Sequence, residues 1–131
     1  MALRIRLSPG EQVIVNGAVI QNGDRRNVVS VLNPANVLRG RDVLRPEDAV
    51  TPVARAYFLV QSILIASGAD RAGVRAEVID ALAGLAVSAS TEDERGLALE
   101  AASQFTSDDY YKALAALRAM LPSEAARLKA G

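Results

Sequence analysis

Residues 13–26 read VIVNGAVIQNGDRR, with two Asn-Gly pairs, Asn16-Gly17 and Asn22-Gly23, among short apolar runs. Both central residues of a type I′ turn need positive φ, and Asn followed by Gly meets that need at least cost. A helix is therefore excluded here, and tight turns between short antiparallel strands are expected. The flanking runs fit. LRIRL (3–7) alternates, with Leu3, Ile5 and Leu7 facing inward and Arg4 and Arg6 facing water. Ser8-Pro9-Gly10 is a turn, and EQVIV (11–15) is a second strand with Val13 and Val15 inward. AVI (18–20) and NVVSVL (27–32) are further strands, Asn33-Pro34 ends the last of them, and Val37-Leu38 is a short final strand. The opening third reads as an antiparallel meander whose register the Asn-Gly turns help to fix. A slip of one residue would turn the buried face outward.

Beyond residue 45 the pattern changes to helical. Pro46 opens a helical turn, with Glu47 and Asp48 favourable to its dipole. Thr51 is an N-cap and Pro52 a first helical residue for an almost wholly apolar helix that Gly68 stops. Such a helix is a buried central element or a subunit interface. A second helix covers 70–88, with Val74, Val78, Ile79, Leu82 and Leu85 on one face and Arg71, Arg75, Glu77 and Asp80 away from it. Ser90/Asp93 and Thr91/Glu94 resemble capping boxes that open a third helix, with Leu97 and Leu99. Ser107, Asp108 and Asp109 cap a fourth, which carries Tyr110, Tyr111, Leu114, Leu117, Met120 and Leu121. Pro122 marks a break before a short last helix. The expected fold class is α+β: an N-terminal antiparallel β-meander, then a bundle of about four helices. The expected division is a basic β-rich part, 1–45, and an α-helical part, 46–131, forming one compact unit or two subdomains. Strands followed by helices argue against a βαβ sheet.

Composition narrows the chemistry. The 131 residues include no Cys and no His, which removes disulfides, thiolate nucleophiles, histidine bases and the usual zinc ligands. No Walker loop, GxGxxG or GxSxG motif is present. The acids in TEDE (91–94) and SDDYY (107–111) lie where helix starts favour negative charge. No catalytic residue, metal or cofactor is expected. No signal peptide is expected, given the charges at Arg4 and Arg6 and the break at Pro9-Gly10, and the apolar run 53–66 is interrupted by Arg55 and Gln61. No membrane span and a cytoplasmic location are expected.

The zero net charge conceals a split. Residues 1–45 hold seven arginines against three acids, a balance of +4, and residues 46–131 hold eight basic against twelve acidic residues, −4. Arginine suits planar, bidentate contact with phosphate. The candidate RNA-binding residues are Arg4, Arg6, Arg25, Arg26, Arg39 and Arg41. A solvated β-surface that uses arginine accounts for the same pattern. No aromatic residue lies in 1–45, so base stacking on an exposed aromatic strand is unavailable there. The apolar helix offers a second candidate surface, a partner or dimer interface through Tyr57, Phe58 and Leu64.

LSPGEQVIVNGAVIQNG, followed by VLRGRDVLRPEDAVTPVARAYFLVQ, resembles the FlbT flagellum-biosynthesis repressor family of alphaproteobacteria. The likeness rests on Leu7, Pro9, Glu11, Asn16 to Ile20, Asn22 and Gly23, then on Leu38, Arg39, Asp42, Thr51, Pro52, Tyr57, Phe58 and Gln61. The resemblance implies a non-enzymatic, post-transcriptional regulator of flagellin synthesis. It would act on the flagellin mRNA 5′ leader and promote decay of that message, with activation instead in some lineages of the family. Flagellin and a FlaF-like protein are the implied protein partners. The alternative is a flagellin- or assembly-chaperone-binding protein whose effect on mRNA is indirect. The resemblance carries no RNA-contacting residues, so the arginines stand on charge and position.

Overall fold

Five strands precede four helices in the computed structural model, which describes residues 3–65 and 71–130. The strands are β1 (Leu3–Leu7), β2 (Gln12–Val15), β3 (Ala18–Gln21), β4 (Asn27–Val31) and β5 (Val37–Arg39). The helices are α1 (Pro52–Ile65), α2 (Arg71–Ser88), α3 (Glu92–Thr106) and α4 (Tyr110–Ala130). The α+β class expected from the sequence is the one found. The chain divides between Val43 and Leu44 into two compact units.

In the first unit all strand pairs are antiparallel, but they form two sheets instead of one sequential meander. β1 pairs with β4, and β2 lies between β3 and β5. Face-to-face packing explains the difference. Ile5 and Leu7 from one sheet bury against Val13 from the other, with Val15, Val29, Val31 and Val37 around them. Gly10, at φ +71°, turns the chain between β1 and β2 so that they fall in separate layers. Ile14 is also buried and pairs with buried Leu38, so β2 is covered on both faces and not only at Val13 and Val15.

The two Asn-Gly pairs differ in kind. Asn16 and Gly17 take φ +48° and +86°, the type I′ geometry that joins β2 to β3. Neither Asn22 nor Gly23 has positive φ. Asn16 Oδ1 accepts from Asn36 N–H at 3.0 Å, and Asn22 ties its loop by a larger set of side-chain bonds. Its Nδ2 donates to the carbonyls of Ser8 (2.8 Å), Arg25 (2.7 Å) and Leu7 (3.3 Å). Its Oδ1 accepts from Asn27 Nδ2 at 3.0 Å.

In the second unit, Gln61 of α1 holds the backbone of Leu44 through both its N–H (2.7 Å) and its carbonyl (2.8 Å). Thr51 Oγ1 accepts from Ala54 N–H, as an N-cap should. Gly68 and the first residue of the expected second helix lie outside the described residues. On α2, Val78, Leu82 and Leu85 are buried, but Ile79 is 44% exposed. Arg75, expected to point away, lies over the Phe105 ring at 5.0 Å and pairs with Asp108 at 2.9 Å. The core of α3 is Ala98, Ala101 and Phe105, while Leu99 is 55% exposed. α4 runs unbroken through Pro122, against the expected break. Tertiary ties on the far side of the proline hold it: Glu124 accepts from Val53 N–H at 3.0 Å, and Arg127 pairs with Glu94.

Candidate nucleic-acid interface

The β1–β4 register decides which arginines meet. Ile5 opposite Val29 faces the core, so Arg4 opposite Ser30 and Arg6 opposite Val28 face out. Two open depressions lie on this outer face. One, of about 430 Å³, is lined by Arg6, Leu7, Ser8, Arg26, Asn27 and Val28. The other, of about 300 Å³, is lined by Arg4, Arg6 and Val28. Among the described residues no carboxylate lines either. Arg4, Arg6 and Arg26 are exposed and form no ion pair among the described residues.

The other candidates lie elsewhere. Arg25 is exposed in the same loop, where its carbonyl is held by Asn22 and Asn27, and it lines neither depression. Arg39 stands opposite Val13 on the core side of its sheet. Its Nη2 donates to the carbonyl of Arg6 at 2.8 Å, a tie between the two sheets that leaves its buried Nε without a hydrogen-bond partner. It positions the strand that bears Arg6. Arg41 is exposed on the 3-10 turn Gly40–Asp42. That turn needs glycine first, because a Cβ on Gly40 would stand 2.3 Å from the carbonyl oxygen of Gln12. Asn22, Asn27 and Val28 were missed by sequence reasoning. Val28 joins the site only through the pairing of β4 with β1.

The helical candidates are placed differently. Tyr57 and Leu64 are buried within the chain, and Phe58 is half-buried. Between α2 and α3 lies an apolar depression of about 200 Å³, lined in part by Ile79, Leu82, Leu99 and Phe105.

The acids of TEDE serve the start of α3. Thr91 Oγ1 accepts from Glu94 N–H at 3.1 Å, and Glu94 accepts from Ser90 N–H at 3.0 Å. The Ser90 bond, with Arg127 beside it, holds the Glu94 carboxyl below its ordinary 4.5, against the opposing effect of burial. Among the described residues no cluster of three metal-binding side chains occurs, and no helix is long and apolar enough to cross a membrane.

The family model described as "Flagellar protein FlbT" matches residues 3–128. A protein of Caulobacter sp. (strain K31), named "Probable flagellum biosynthesis repressor protein FlbT", is 46% identical over 65 residues, 50% of this chain and 50% of its own. A protein of the same name from Chelativorans sp. (strain BNC1) is 40% identical over 131 residues, 98% of this chain and 87% of its own. Another, from Mesorhizobium japonicum, is 33% identical over 124 residues, 93% of this chain and 82% of its own. The chain thus spans about half the length of the Caulobacter relatives it matches and most of the length of the other two. No solved structure matches it. With a match that runs from the first strand into the last helix, the chain belongs to the FlbT family of flagellar proteins.

Proposed function

We propose that this chain is a non-enzymatic regulator of flagellum synthesis that binds the 5′ leader of flagellin messenger RNA and promotes decay of the message. The observation that best supports this is the outer face of β1 and β4, where Arg4, Arg6 and Arg26 line two adjoining depressions with no carboxylate among the described lining residues. Guanidiniums so placed neutralise phosphates and release counterions, so affinity falls with salt. Without an exposed aromatic on that face, the binding energy is mostly electrostatic. A chain without His or Cys also lacks the commonest catalytic bases and nucleophiles.

The apolar depression between α2 and α3 favours a second reading, in which flagellin or a FlaF-like assembly protein docks on the helices and the effect on mRNA is indirect. Titration of the protein against labelled flagellin-leader RNA, at low and moderate salt and with and without flagellin, separates the two. Binding by the chain alone that weakens with salt is expected. Binding only once flagellin is added would refute the arginine face as the primary site and favour the helices.

A further inference from the structure

The outer face of β1 and β4 is not a flat basic plate. Its two depressions, of about 430 and 300 Å³, meet at Arg6 and Val28. Both fall at the small end of the ~300–1,000 Å³ common for sites that hold a compact organic group. Val28, which is half exposed, lines both beside Arg6, with Arg26 in the larger and Arg4 in the smaller. Ser8 and Asn27 add polar atoms to the larger one.

This chemistry fits a nucleotide whose base is free. An unstacked base can lie on an apolar floor with a guanidinium plane against it, while its phosphate meets the neighbouring arginine. A double helix stacks its bases inside and presents phosphates outward, so it would leave Val28 uncovered by any base. Arg4 and Arg6 stand two residues apart on one strand face, about 6.6 Å. Successive phosphates of an extended chain can follow that spacing.

We infer that this face holds an unpaired, extended run of two or three nucleotides, one in each depression with Arg26 on a flanking phosphate. The inference rests on the RNA-binding role proposed above. Three phosphate contacts on a single strand give a log–log salt slope of about −2, so a fourfold rise in salt weakens binding roughly 16-fold.

The test uses the whole chain and fluorescence anisotropy with three probes: flagellin-leader RNA, a short uridine oligonucleotide, and an RNA duplex of equal length. The oligonucleotide is expected to bind at least as tightly as the duplex. In Arg6→Gln the slope is expected to fall by about 0.7, leaving roughly a sevenfold loss for the same rise in salt. Arg26→Gln should behave alike, and retained circular dichroism excludes misfolding of either variant. Arg45→Gln removes the same charge from a residue already paired with Glu47 and Asp48, and should leave the slope unchanged. Leader binding with clear preference for the duplex, or with a slope unaltered in both Arg6→Gln and Arg26→Gln, overturns the single-strand inference alone. Failure of the leader RNA to bind at low salt overturns the RNA-binding role and the inference with it.

Discussion

Replacing Asn22 by glycine isolates the work of one side chain. A residue needed only for its turn conformation tolerates glycine, which takes almost any φ. Asn22 has no positive φ, and its amide joins three carbonyls and Asn27. An amide has two donor hydrogens, so the contacts at 2.8 and 2.7 Å count as full bonds and the one at 3.3 Å as a shared one. With the bond accepted from Asn27 the total is three, each worth about 0.5–1.5 kcal/mol net. The loop is open to water, which favours the lower half of that range, about 0.7 kcal/mol per bond and roughly 2 kcal/mol in all. These bonds join the end of β1 to the start of β4, so their loss should open that pair. Exchange of the protected amides in the β1–β4 pair, followed by NMR, should accelerate roughly 30-fold in Asn22→Gly. Asn22→Asp keeps the shape but turns a charged oxygen toward the carbonyls, so it should be at least as damaging. Exchange within about threefold of wild type in Asn22→Gly, or a harmless Asn22→Asp, would refute the reasoning.

Three further outcomes are expected. Gly40→Ala drives a Cβ into the Gln12 carbonyl and should destabilise the first unit by about 1–3 kcal/mol, read as a lowered thermal midpoint; an unchanged midpoint would count against the close approach. Pro122→Ala restores a missing N–H inside a continuous helix and should stabilise the helical unit by up to about 3 kcal/mol in urea titrations, whereas a helix already broken there would gain little. Glu94 has a lowered pKa, so its contribution is present above the ordinary value of 4.5 and is lost as pH falls through the folded value. The urea midpoint of wild type should therefore drop more than that of Glu94→Gln on acidification; parallel curves would exclude the carboxylate as a source of that stability.

The change from strands to helices near residue 45 was legible because periodicity switches from two to three or four within a few residues. The turn at Asn16-Gly17 and the caps at Thr51 and Thr91 were legible too. Each is a bargain between neighbours in the chain, decided by φ preference or by a hydroxyl reaching a nearby N–H. The alternation in LRIRL also placed Arg4 and Arg6 correctly on one outer face.

What remained hidden depended on partners distant in sequence. The same Asn-Gly letters make a positive-φ turn at 16, with Asn16 Oδ1 accepting from Asn36 N–H, and a wider side-chain tie without positive φ at 22, where the Ser8 and Arg25 carbonyls lie within reach. Pro122 carries an intrinsic signal to break a helix, yet Glu124 and Arg127 are tied to residues far away along the chain, and those ties keep α4 intact. Arg39 carries the same charge as Arg6, but the β2–β5 register turns it toward the core, where it holds the Arg6 carbonyl. The sequence by itself thus determined the order of strands and helices, all but the length of the last helix, and the excess of arginine in the first of the two parts. Tertiary structure alone decided which strands pair, and so which three arginines surround Val28. Local backbone preference extends over a few residues, whereas burial is shared among residues that meet only once the chain has folded.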